Sequence, residues 1–436
     1  MRSARASKRV SRGKWKKRLL RAGVVSIVLC GALGYGVARV PWVGAMGADV
    51  ARKVLGAENV AKLEDTVYGL ADTYNQWRYK DKPPPSYWSA PPEGSAASGS
   101  SGSSGPSGNN NGGMPPVLPA ASAIASGATA LGVAVAAPPP PRDPSQVFPP
   151  ANFAPMISNV SGKVDGTWIT IADDVDAASP PVMAKTLVHP DPTRPYAQVA
   201  IVAIDLARVR IVSVPGTEEP ASSTVKRADR PGKIPDAEQP NLVAAFNGGW
   251  QAVHGAFGMM VDGKELLPPK DSSCTVVLNK DRSMRIAPWP DVAADREQMQ
   301  AFRQTPPCLV QDGIEHRGMS EGSRNWGAAV DGATVIRRSG LGLDKDKKIL
   351  FYASGDSLSV LTLARAMTAA GASDVAELDV NWSFPRFLFY KHGVAAPEVR
   401  ESLIPCTFRK NEHTGISYYR DYFYVVRDTP VVLGSR

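Results

Sequence analysis

Between Lys82 and Pro150 the chain runs through "KPPPSYW", "GSAASGSSGSSGPSGNNNGG" and "APPPPRDP". Large apolar side chains are too sparse here to offset the entropy of ordering the backbone, so residues 83–152 are expected to form a disordered linker. This stretch absorbs much of the 38 Pro and 39 Gly among 436 residues and cuts the chain into unequal parts. The larger part, residues 153–436, is long enough for one large domain with a substantial core.

The short part before the linker is built differently. Its first 21 residues hold ten cations and no acid, and removing them takes the formal charge from +9 to −1. The high isoelectric point therefore describes a basic tail, 1–21, and nucleic acid is not expected as a partner of the folded part. Ala22 to Ala38, "AGVVSIVLCGALGYGVA", is an uncharged run near the lower limit for crossing a bilayer. Cations before it favour an N-terminus left in the cytoplasm. Residues 22–43 are thus expected as a single-pass signal anchor in the inner membrane, with the C-terminal domain exported to the periplasm or cell surface. A cleaved signal peptide with small residues at Gly44 to Ala48 is the rival. A further Ala-rich run, "AASAIASGATALGVAVAA", is bounded by Pro and is the weaker candidate for a span.

Residues 51–82 read as an amphipathic helix. Val60, Leu63, Val67, Leu70, Tyr74 and Trp77 recur at intervals of three and four. Fewer than three full heptads favours a helix lying on the membrane or on its own domain over a dimerising coiled coil.

Inside the large domain, "AQVAIVAIDL" and "VRIVSV" are short β-branched runs of the kind that pair. Asp262-Gly263, Asp312-Gly313 and Asp331-Gly332 each separate apolar runs and suit tight turns with positive φ, so antiparallel hairpins are expected. "GDSLSVLTLARAMTAAG" is a helix with Asp356 or Ser357 as N-cap, Leu358, Leu361 and Ala364 on one face, and Gly371 to end it. The strand "VAELDV" comes directly after it. The fold class is α+β: a mixed, largely antiparallel β-sheet with packed helices, preceded by the membrane helix and the linker.

Chemistry is most concentrated at "DVAELDVNWSFPRF". On a strand, Glu377 and Asp379 share a face, and two acids so close suit acid/base work because repulsion raises one pKa. Asn381 and Ser383 continue that face; a strand end with solvated acids has the same pattern. Asn247-Gly248-Gly249 after "LVAAF" places a pliable backbone at a strand end, where amides can approach a ligand, as would a plain turn. His254 offers an acid or base, and Arg324 a fork for phosphate. Cys30 lies in the apolar run, whereas Cys274, Cys308 and Cys406 allow at most one disulfide and one free thiol in an oxidising compartment. No Cys/His cluster points to zinc, no metal ligand set stands out, and no cofactor is required, although a divalent cation is left open.

Taken in order, these stretches resemble the phosphodiester glycosidase domain family. The resemblance rests on Asn247 to Trp250, Gly258 to Gly263, Leu309 to Gly313, Arg324 with Gly327, Gly371-Ala372, and Leu378-Asp379 through Ser383. It spans about residues 200–391 and implies an exported, membrane-anchored hydrolase of a sugar-phosphodiester or related envelope glycan. Asp379 would then be acid/base or nucleophile, with Glu377 its pKa partner and His254 a further catalytic candidate. Arg324 and the Asn247 to Gly249 amides would contact phosphate, and Asn381, Trp382 and Ser383 the sugar. Where the family pattern carries three glycines after the Asp, this chain has Val380, Asn381 and Trp382. That departure motivates an alternative, a non-catalytic glycan-binding or scaffold protein on the same fold. Trp250 and Phe384 suit an aromatic platform for a sugar ring.

Overall fold

The computed structural model describes residues 57–80, 84–89, 148–176, 180–321, 324–327, 335–381, 383–392 and 396–428. The basic tail, the apolar run at 22–43, the candidate cleavage site, the Ala-rich run, most of the linker, the Asp331-Gly332 turn and Trp382 lie outside them. Among the described residues no helix is long and apolar enough to cross a membrane.

Three sheets build the domain, and every ladder between named strands is antiparallel. The first, of eight strands, runs in the order β1 (Ile169–Ile171), β2 (Met183–Val188), β3 (Val199–Asp205), β14 (Ile349–Leu358), β13 (Ile336–Leu343), β15 (Asp374–Glu377), β11 (Val310–Gln311), β12 (Ile314–Glu315). A second, of five strands, has the order β7 (Lys264–Leu267), β6 (Met259–Val261), β10 (Met299–Thr305), β8 (Cys274–Asn279), β9 (Met284–Pro288). In the third, also of five strands, the order is β17 (Glu398–Ser402), β16 (Phe387–Lys391), β5 (Leu242–Asn247), β18 (Tyr422–Arg427), β4 (Val209–Val214). Two longer helices accompany them, α1 (Ala57–Arg78) and α2 (Val360–Ala369).

The two β-branched runs form β3 and β4, but they do not pair with each other. Strand β3 lies between β2 and β14, whereas β4 lies at the edge of the third sheet beside β18. The short connection between them turns the chain from one sheet to another. All of β3 is buried, because one face joins the core shared by the three sheets while the other meets α2 and Phe351; covered on both faces, a strand reads as a continuous apolar run.

Two of the Asp-Gly turns adopt the expected geometry. Asp262 and Gly263 have φ of 51° and 73°, and Asp312 and Gly313 have 48° and 78°, the positive pair that matches the twist of a two-residue hairpin. Helix α2 starts later than its sequence indicates. Strand β14 continues through Leu358, so the N-cap is Ser359, whose Oγ accepts from the Thr362 amide at 3.1 Å. The buried face is correspondingly Val360, Leu363, Ala364 and Met367. Gly371, at φ 108°, lets the chain leave the helix.

Cys274 and Cys308 form a disulfide, and Cys406 is a free thiol. The bridge ties the start of β8 to the approach to β11, fastening the second sheet to the first. Both ends of the expected linker carry packed residues. Tyr87 and Trp88 rest against the core, with Lys185 Nζ 4.7 Å from the Trp88 ring centroid, and Phe148 packs on the cluster around α2.

Candidate active site

The three sheets converge at one point. Asn247 ends β5, Asp379 lies two residues beyond β15, Arg303 is on β10, and Arg420-Asp421 lead into β18. The Asp379 amide donates to Gly248 O at 3.2 Å, and Ser339 Oγ donates to Asp379 O at 2.7 Å, so the chain leaving the first sheet is pinned to the third. Arg303 and Asp421 pair at 2.8 Å with both side chains buried, joining the second sheet to the third.

This junction explains the Asn-Gly-Gly sequence. Asn247 Nδ2 donates to Gly248 O at 3.1 Å and Ser339 Oγ at 3.0 Å, while Oδ1 accepts from Tyr352 OH at 2.8 Å and the Arg386 amide at 3.0 Å. All four bonds an amide side chain can make are in use. The Gly248 amide donates to Asp421 O at 3.0 Å and the Gly249 amide to Asp421 Oδ2 at 2.8 Å. A Cβ on Gly248 would stand 2.1 Å from Asp421 Oδ2, and one on Gly249 would stand 2.7 Å from the Arg303 guanidinium carbon. The glycines therefore admit the Arg303–Asp421 pair, and their amides hold Asp421.

Beside them lies a small cleft of about 10 Å³, roughly the room of one water molecule. Asp379, Arg420, His413 and Tyr422 line it together with Phe384, Arg386 and Tyr418. Asp379 Oδ2 pairs with Arg420 Nη2, and Oδ1 accepts from the Asn381 amide at 2.9 Å. Burial raises the pKa of this carboxyl; Arg420 and the Asn381 amide oppose the rise without cancelling it. The Arg420 guanidinium lies over Phe384, 4.1 Å from its ring centroid.

Several buried polar atoms here have no protein partner among the described residues: Arg420 Nε and Nη1, His413 Nε2 and the Tyr422 hydroxyl. The histidine's tautomer is set by its neighbours. Tyr390 OH donates to Glu412 O at 2.9 Å, so its oxygen is left to accept, and His413 Nδ1 lies 3.0 Å from it. Nδ1 therefore carries the proton and Nε2 a bare lone pair. Desolvation first, and Arg386 second, bring the His413 pKa down to about 3, so the ring stays neutral. Unpaired buried polar groups are costly; a cationic donor fork and a lone pair in one cleft are a ready set of contacts for an anion bearing hydroxyls.

The other sequence candidates fall around this cleft. Glu377 is fully buried outside its lining, with Oε1 accepting from Arg338 Nη1 at 2.6 Å. Desolvation pushes its pKa up to about 7, with Arg338 opposing and Asp379 adding a small further rise. His254 sits half-buried in a short 3-10 turn, close enough for its charge to lower the Asp379 pKa. Asn381 and Ser383 are half-buried and bonded to each other, Ser383 Oγ to Asn381 Oδ1 at 3.1 Å, forming the turn at the edge of the site. The backbone of Arg324 lies in the 3-10 turn Arg324–Trp326; its side chain is outside the described residues. Trp250, expected as a sugar platform, is instead buried against Gly327 and donates from Nε1 to Leu378 O at 2.8 Å. Among the described residues no group of three or more His, Cys, Asp or Glu is placed to hold a metal ion.

Arg420, Asp421, Arg386, His413, Tyr418 and Tyr422 were not singled out from the sequence. For Tyr418, Arg420, Asp421 and Tyr422 the signal is "YYRDYFY", residues 418–424, an adjacent Arg and Asp set among aromatics at the entrance to a buried strand.

No protein-family model and no curated protein matches the chain. Solved structures do share features of the fold. The catalytic domain of zebrafish N-acetylglucosamine-1-phosphodiester alpha-N-acetylglucosaminidase, auto-inhibited by its pro-peptide, is 13% identical over 60% of this chain and 89% of its own, with a TM-score of 0.36. A hypothetical protein from Synechocystis is 10% identical over 58% and 65%, with a TM-score of 0.38. An exported protein from Burkholderia pseudomallei is 10% identical over 53% and 74%, with a TM-score of 0.25. Likeness at this level carries no argument about this chain.

Proposed function

We propose that the protein is an exported hydrolase of a sugar-phosphodiester or related envelope glycan, held at the inner membrane through residues 22–43 and cleaving the bond between the sugar and the phosphate oxygen. The observation that carries this reading is the single cleft in which Asp379, raised in pKa, meets two unpartnered nitrogens of Arg420 and the lone pair of His413 Nε2. Arg420 would take the phosphate, His413 Nε2 and Tyr422 would meet sugar hydroxyls, and Phe384 with Tyr418 would offer ring faces. Asp379 would act at the anomeric carbon, as a base for water or as the nucleophile. Water supplies the oxygen; the products are the free sugar and a phosphomonoester. The Cys274–Cys308 disulfide suits an oxidising compartment.

A sugar-1-phosphodiester incubated with the purified protein in ¹⁸O-labelled water tests it. The label is expected in the anomeric hydroxyl of the released sugar. Label in the phosphate would overturn glycosidic cleavage. Tight retention of the diester without turnover would favour the glycan-binding alternative, which the double engagement of Asp379 by Arg420 and the Asn381 amide supports.

A further inference from the structure

Helix α1 meets the domain at Asp72 and, just past its end, at Tyr79. Asp72 accepts from Arg194 Nε at 3.0 Å and Nη2 at 2.8 Å and from the Tyr196 hydroxyl. One heptad later, the Tyr79 ring lies 5.7 Å from that of Tyr196. The apolar stripe is elsewhere: Leu63, Val67, Leu70, Tyr74 and Trp77 are 52 to 74% exposed, while Val60 at the head of the series is buried. With Val60, Val67 and Tyr74 at heptad position a and Leu63, Leu70 and Trp77 at d, Asp72 and Tyr79 both fall at f. Position f lies opposite the a/d seam, so docking leaves the seam exposed from Leu63 to Trp77, with Val60 alone buried among its a and d residues.

We propose that α1 pairs with α1 of a second copy of this chain as a parallel, two-stranded coiled coil. Val at a with Leu at d in the first two heptads is the combination that favours two parallel strands. The facing g and e positions would pair Asn59 with Glu64, Thr66 with Ala71, and Thr73 with Arg78, none of them like-charged. A lipid surface fits the seam less well, because α1 carries Glu58, Glu64, Asp65 and Asp72 against only Lys62 and Arg78, whereas helices lying on membranes are rich in cations. The chain before α1 sets the direction: residues 1–56 contain the apolar run at 22–38, and two copies with that run in one bilayer would start their helices from the same side. At 22 residues the seam spans about 33 Å.

Cross-linking of the full-length chain in detergent, with Cys30→Ser and Cys406→Ser, tests the pairing. Under mild oxidation, Leu63→Cys at a d position near the helix start is expected to form at least about tenfold more covalent dimer than Lys62→Cys at the outward c position. Equal yields in the two variants, or none, overturn parallel pairing. By sedimentation velocity, Leu63→Glu with Leu70→Glu should raise the dimer dissociation constant at least about 100-fold while the domain's melting temperature holds. A wild-type chain that stays monomeric overturns the proposal. So does a double variant that keeps the wild-type dimer dissociation constant, since the seam would then not carry the pairing.

Discussion

Two arginine–carboxylate pairs have acids two residues apart on the chain and are used differently. Arg338 and Glu377 are both sealed, and Arg338 also donates to Leu358 O and Trp326 O, so this pair locks β13 to β15 and to the loop above them. Arg420 and Asp379 are nearly as buried, yet they line the cleft, and Arg420 keeps two nitrogens without a protein partner among the described residues. Burial alone therefore does not separate a structural pair from a working one. Nor do unspent polar atoms, since Arg338 Nη2 and Glu377 Oε2 also lack a protein partner among the described residues; what separates the pairs is that Asp379 and Arg420 line the cleft and Glu377 and Arg338 do not. Strand β15 ends at Glu377; beyond it Asp379 reaches the third sheet, where Gly248 O accepts from its amide, while Ser339 of β13 donates to its carbonyl from the first sheet.

The comparison can be strained from the sealed side first. Cys274→Ser with Cys308→Ser removes the bridge that holds β8 beside the approach to β11, whose Val310 pairs with Val375 on β15. Opening a loop of 34 residues should cost about 4 kcal/mol in chemical denaturation.

Glu377→Gln probes the same pair through pH. Because the folded protein holds this carboxyl at about 7, above its ordinary 4.5, the folded state binds more protons than the unfolded across that window. Its contribution to stability is full below pH 4.5 and declines toward pH 7, by at most about 3 kcal/mol. His413 works in the opposite direction. Held down at about 3 from an ordinary 6.5, it lends stability that is lost as pH falls through that range. Denaturation of Glu377→Gln between pH 4.5 and 6.5 should therefore show stability rising with pH more steeply than in the wild type. An unchanged slope would mean that Glu377 does not titrate there.

The smallest effect concerns the cleft. Tyr390→Phe removes the acceptor that fixes the proton on His413 Nδ1 and should cost about 1 kcal/mol. The ¹⁵N shifts of the His413 ring should move from a single tautomer toward a mixture; ring shifts that stay put would break the proposed relay from Glu412 O through Tyr390.

Local chemistry was legible in the sequence wherever a short segment decides its own geometry. The turns at Asp262-Gly263 and Asp312-Gly313, the end of α2 at Gly371 and the disulfide arithmetic are such cases. Period-two spacing brought Glu377 and Asp379 close enough to couple electrically, but it carried no sign that the strand stops between them. The N-cap of α2 shifted for a similar reason, since pairing with β13 extends β14 through residues that would cap a helix in isolation. Arg420, Asp421, His413 and Tyr422 were hidden because they lie more than 30 positions downstream of Asp379, and only the convergence of three sheets makes them neighbours. The Asn-Gly-Gly segment was a true landmark whose physical reason differed: close approach by Asp421 and Arg303 rather than by a ligand.

If the cleft pair does the chemistry and the sealed pair holds the scaffold, the two acids must respond differently to loss of charge. Measuring kcat/KM of Asp379→Asn and Glu377→Gln side by side on one sugar-phosphodiester tests this most directly. Asp379→Asn should lose about 10³-fold or more, while Glu377→Gln stays within about threefold of the wild type because Glu377 and its partner Arg338 lie outside the cleft lining. Full activity in Asp379→Asn, or a collapse confined to Glu377→Gln in a folded protein, would contradict the account.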